Sequence, residues 1–125
     1  MSSLDIDLPD PQGDWLHADE VHSLYSQTEV WVDKQGAQHR LVDMDTRYLR
    51  NVVRFLDRGV MAGHLWFASW NYPIPRLNGD MAQFHAEQDH ARATDECVTW
   101  STRPNEAPLY RAMHLELATR RRGNA

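Results

Sequence analysis

The sequence predicts an α+β fold: one small domain in which a β-hairpin packs under an amphipathic helix, with two further helices completing the layer. Three observations predict it. Val30-Trp31-Val32 and Arg40-Leu41-Val42 flank the turn residues Asp33-Lys34-Gln35-Gly36. A capped helix follows directly after Asp43-Met44. The chain, at 125 residues, suits one compact domain with its own core. Strand pattern, turn chemistry, cap and helix period agree together only between Glu29 and Arg58, and that agreement marks this stretch as the fold nucleus.

Residues 1–13 hold Asp5, Asp7, Pro9, Asp10, Pro11 and Gly13 with no sustained period, the composition of a loose acidic arm. The domain itself is expected over 14–125. Trp15-Leu16 and Val21 to Tyr25 suit a short helix with Asp19 near its start. In the hairpin, Val30 and Val32 face one way and Trp31 the other, and Gln38 to Val42 return. Gly36 stands where a longer hairpin loop needs positive φ. A two-stranded ribbon alone is marginal in water, so the following helix is its natural cover.

That helix is predicted over 45–58. Asp45 is a good N-cap, Met44 and Leu49 occupy the positions of a hydrophobic staple, and Gly59 is a stop. Leu49, Val52, Val53, Leu56 and Val60 then share one side, with Tyr48 and Phe55 on its margin. His64 to Trp70 fits a helical turn or a buried extended segment, because periodicity does not decide for so short an apolar run. Asn71 to Pro75 is irregular, since each proline biases its predecessor away from the helix. Asn78-Gly79 reads as a turn, and Asp80 with Gln83 resembles a capping box opening a helix to about Ala93. The apolar stripe of that helix (Met81, Phe84, Ala91) is thin, which predicts a surface position. A last helix begins with Pro108 in its first turn and sets Leu109, Ala112, Met113 and Leu117 on one face. Arg120 to Arg122 then meet its negative end before Gly123.

Charge and cysteine usage narrow the function classes. A net charge of -5 and a pI near 5.7 make the bulk surface repel nucleic acid and anionic membrane. The single cysteine, Cys97, forms no intrachain disulfide, and the cysteines of a zinc ribbon are missing. No apolar run approaches the ~18 residues of a membrane span, and no basic N-terminus precedes an apolar stretch, so a cytoplasmic protein is expected. One lysine, Lys34, stands against twelve arginines. Both cations solubilise a surface equally well at most positions, so the bias points to GC-rich codons and a bacterial or phage genome, with selection for planar, bidentate guanidinium contacts as the competing reading.

Trp31-x4-Gly36, followed by Leu41-x2-Met44-x3-Tyr48-Leu49-x-Asn51 and Leu56, resembles a pattern in small uncharacterised proteins of tailed bacteriophages, above all those of actinobacteriophages. Pro108-Leu109-Tyr110 with Met113 and Leu117 is similar to their C-terminal helix. The matched positions cover about a quarter of the chain closely and about half loosely. The resemblance implies a phage origin and a structural motif. It brings no activity and no catalytic residue.

Four constellations bear on chemistry. Arg47, Arg50, Arg54 and Arg58 are spaced three, four and four apart, so they lie within roughly a quarter-turn, nearly opposite the Leu/Val stripe. Four guanidiniums with Asn51 beside them suit phosphates or an acidic protein surface. The plainer alternative is a solvated helix face, partly neutralised by Asp57. His85-Ala-Glu87-Gln-Asp89-His90 superficially resembles a zinc-protease helix, but its histidines are five apart where the metal needs four. Cys97 has Asp95 and Glu96 as neighbours, which oppose a thiolate, so it suits a buried thiol better than a nucleophile. Trp66, Phe67, Trp70, Tyr72 and Trp100 are core material or, for Trp66, Trp70 and Trp100, a secondary binding surface. The expected function is therefore non-enzymatic: binding of a host or phage protein through Arg47, Arg50, Asn51, Arg54 and Arg58, without cofactor or metal. Nucleic acid or nucleotide on the same face is the alternative, and a metal-dependent hydrolase the third.

Overall fold

The computed structural model describes residues 17–33 and 35–123. The expected acidic arm, Trp15, Leu16 and Lys34 fall outside the described residues. Helix α1 (Ala18–Ser26) leads into strands β1 (Val30–Val32) and β2 (Gln38–Arg40), then helices α2 (Thr46–Phe55), α3 (Met61–Asn71), α4 (Asp80–Thr102) and α5 (Pro108–Gly123). The domain is α+β, with the strands paired antiparallel in the register Val30 to Arg40, Trp31 to His39 and Val32 to Gln38.

The hairpin forms for the reasons its sequence gives, and Asp33 holds its loop. One carboxylate oxygen accepts the N–H groups of Gln35 and Ala37, each at 2.9 Å, and the other lies 2.8 Å from His39 Nε2. Gly36 takes φ 84°, where only glycine is unstrained. The second strand stops at Arg40, because Leu41–Asp43 turn into a short 3-10 segment that buries Leu41. Trp31 is the strand residue that enters the core, beside α1, whose Val21, Leu24 and Tyr25 are buried. Gln27 ties the two elements: its amide donates to the carbonyls of Leu24 and Val30, and its oxygen accepts from Glu29 and Val30 N–H.

Asp45 caps α2 by accepting the Arg47 N–H at 3.3 Å, and Met44 and Leu49 are both buried, as a staple requires. The stripe Leu49, Val52, Val53 and Leu56 is buried as its period predicts. Tyr48 meets the hairpin edge-on at His39, with ring centroids 5.5 Å apart, while the length of α2 packs on α5. Gly59 ends the helix at φ 96°, ψ 0°, but the chain does not leave. Leu56–Val60 makes a widened helical turn and re-enters helix at once as α3. The segment whose period was ambiguous is therefore helical throughout, burying Met61, His64, Leu65 and Ala68.

Helix α4 runs nine residues past the expected end at Ala93. Ala86, Ala93, Cys97 and Trp100 form its buried seam, packed mainly on α3. Small side chains and a thiol make that seam hard to see as an apolar stripe. The expected box at Asp80 and Gln83 takes another form: Gly79 is the N-cap, and the Gln83 side chain accepts the Leu77 N–H at 2.9 Å. In α5, Leu109, Tyr110 and Met113 are buried, with Ala112 and Leu117 packed against the core. Helix α1, expected as a short helix, and α3, whose segment left helix and extended strand open, pack on each other.

Candidate binding surfaces

Arg47, Arg50, Arg54 and Arg58 are all exposed, with Asn51 half-buried beside them. Among the described residues none of the four guanidiniums makes an ion pair. Asp57, the expected neutraliser, is occupied elsewhere: it accepts the hydrogen bond of the Tyr110 hydroxyl from α5. Burial first, then that hydrogen bond and the Asp57 charge, push the Tyr110 hydroxyl up to about 12. Tyr110 thus stays a donor at any ordinary pH, and Asp57 stays tied to α5. Arg58 lies over the Phe55 ring at 5.2 Å from its centroid, which steadies the last guanidinium of the row. Among the described residues the guanidiniums of the other three, Arg47, Arg50 and Arg54, form no ion pair and face solvent.

The arginines of α5 divide differently from the expectation. Arg120 turns away from its own helix end and clips the linker between hairpin and α2. Its guanidinium donates to the carbonyls of Met44 at 2.6 Å and Leu41 at 2.8 Å and to the Thr46 hydroxyl at 3.0 Å. Its Nε donates to Glu116 at 2.8 Å. The carbonyls at the end of the 3-10 turn, clustered and pointing the same way, suit a planar guanidinium that can donate to several acceptors at once. Nothing in Arg120-Arg121-Arg122 singled out the first as structural.

The tryptophans separate. Trp66 and Trp70 on α3 are 52% and 73% exposed, and they meet edge to face at 5.9 Å. Trp100 is 6% exposed and belongs to the core, stacked on His22 at 5.4 Å. Contrary to the expectation, it offers no binding surface, because its ring faces α1 and not solvent. Trp66 and Trp70 line a groove of about 800 Å³ with Ala91, Thr94 and Val98 of α4.

The histidine cluster does not assemble a site. His85 packs on Phe84, His90 on Tyr72, Asp89 pairs with Arg92 at 3.6 Å and Glu87 accepts from Gln83 at 3.2 Å. Among the described residues no three of His, Cys, Asp and Glu are gathered to hold a metal ion. Cys97 is buried, and burial, then the Glu96 charge, push its thiol up to about 12. The Tyr25 hydroxyl meets His64 Nδ1 at 2.9 Å inside the core, a polar contact between α1 and α3 that the sequence did not signal. Among the described residues no helix is long and apolar enough to cross a membrane. No protein-family model, curated protein or solved structure matches the chain.

Proposed function

We propose that this chain is a phage-encoded, non-enzymatic interaction protein that grips an acidic surface of a host or phage protein in the host cytoplasm. The arginine row Arg47, Arg50, Arg54 and Arg58, with Asn51, is the binding face. One observation carries the proposal. The row is exposed and lacks ion pairs among the described residues, while the nearest acid in sequence, Asp57, is engaged by Tyr110. A merely solubilising face would gain from ion pairs with acids three or four residues away, yet Asp57, three residues after Arg54, makes no ion pair with it among the described residues.

Guanidiniums suit carboxylates because they present two parallel donors to two acceptors. The row spans twelve residues, roughly 16 Å of helix from first to last, the reach of a short acidic segment and not of a long duplex. The acidic bulk of the molecule, at -5, favours a local complement over an extended polyanion. Affinity capture from an actinobacterial lysate tests the proposal. The wild-type chain should retain a protein that the Arg47→Ala/Arg50→Ala/Arg54→Ala variant loses, with both chains melting at nearly the same temperature. Equal retention by the two would move attention to Trp66 and Trp70.

A further inference from the structure

On α4, Met81, Phe84, Gln88, Ala91, Asp95 and Val98 recur at alternating intervals of three and four, and all six are exposed. They form one meridian of the helix, opposite the seam of Ala86, Ala93, Cys97 and Trp100 that packs on the rest of the domain. Its two ends differ in shape. The N-terminal end carries two protruding side chains, Met81 at 66% and Phe84 at 48% exposure. The C-terminal end is concave, where Ala91 and Val98 floor the groove walled by Trp66 and Trp70. Projection and cavity share one helix face, about eleven residues or 16 Å apart.

We infer that this face binds a second copy of the same chain, with α4 antiparallel to its twin. A two-fold axis between residues 89 and 90 sets Met81 against Val98, Phe84 against Asp95 and Gln88 against Ala91 of the other copy. Phe84 of each copy then enters the tryptophan groove of the other. A closed pair of this kind requires one patch that is complementary to itself, with projection and cavity equidistant from the axis, and α4 meets that requirement.

The area agrees. Trp66, Trp70, Met81, Phe84 and Val98 alone leave on the order of 600 Å² of side chain exposed per copy, hence about 1,200 Å² for a pair, the lower end of stable interfaces. Asp95 also lines the groove, and the register sets it against the Phe84 of the other copy. The inference goes beyond the arginine row, which lies on α2 and the turn that follows it, and does not depend on it.

Sedimentation equilibrium of the purified full chain tests the pairing at up to about 100 μM, a hundredfold above a micromolar Kd. Wild type should be a dimer. Phe84→Glu and Trp70→Glu, each at an exposed position, should be monomers that melt as folded proteins. Phe84→Arg should keep the dimer to within about tenfold in Kd, since its guanidinium would face Asp95 of the other copy. A monomeric wild type overturns the pairing and leaves the groove to another protein. A dimer that survives both glutamates places the interface elsewhere. Phe84→Arg weakened as severely as Phe84→Glu overturns the antiparallel register.

Discussion

Arg54 and Leu56 stand two positions apart in one helical stretch and face opposite surroundings, which makes them the sharpest pair for the facing of α2. Leu56 is buried among Leu49, Val52 and Val53, whereas Arg54 is exposed. Leu56→Ala should destabilise by roughly 2–5 kcal/mol in a urea melt, and Arg54→Ala by less than about 0.5 kcal/mol. Equal losses would mean that the stripe faces the wrong way. Asp33 carries a second residue-scale prediction. Burial alone would raise its carboxyl, but the His39 contact and the Ala37 and Gln35 N–H groups outweigh it and hold it below the usual carboxylate range. A depressed folded value means that its stabilisation is present above the ordinary carboxylate value and fades as pH falls through the folded one. Stability of the wild type should therefore decline below about pH 4, and Asp33→Asn should show less of that decline at the cost of stability at pH 7. Identical acid profiles would remove Asp33 from the account. At this scale the sequence showed which residues cap and which face inward, because Asp45, Gly36 and the Leu/Val stripe act locally. It did not show that Asp57 reaches Tyr110 or that Arg120 reaches the 3-10 turn. Those partners lie 53 and 76 positions away, and no local pattern encodes such a distance.

At the scale of elements, legibility follows the composition of each buried face. Helix α2 was readable because its stripe is of Leu and Val. Helix α4 was readable only up to about Ala93, because its seam uses the small residues Ala86, Ala93 and Cys97, which an apolar pattern passes over, before it reaches Trp100. Helix α3 was ambiguous because it is apolar on its outer face as well, where Trp66 and Trp70 stand. The turn between α2 and α3 rests on Gly59 alone. An added Cβ would meet nothing within 4 Å there, so its penalty is conformational and not steric. Gly59→Ala should thus destabilise by about 1–2 kcal/mol in the same urea melts, through the positive φ of 96°. A neutral or stabilising effect would show that the turn relaxes without glycine. The wide turn also fixes the angle at which α3 leaves α2, and so it sets the arginine row and the tryptophan groove on different helices.

At the scale of the whole molecule, an acidic chain carries a local cationic row and an exposed apolar groove, each on a face that the described residues leave uncovered. The row was legible in full, since four arginines at helical spacing need only the helix to form. The groove was legible in part: Trp66 and Trp70 were named, Trp100 belongs to the core, and Val98 and Ala91 needed α4 in place. The claim on which the account turns is that the row binds carboxylates. Fluorescence anisotropy of a labelled polyglutamate peptide, titrated with wild type and with Arg47→Ala/Arg50→Ala/Arg54→Ala at low salt and then at rising salt, tests it most directly. A DNA duplex of similar length serves as the competing probe. The account predicts that the triple variant binds the peptide at least about tenfold more weakly, that the wild type prefers the peptide to the duplex, and that the affinity falls with salt. Equal peptide affinity in the two chains would contradict the claim, and tighter binding of the duplex, with a log–log salt slope near the number of phosphates neutralised, would turn the row into a nucleic-acid site.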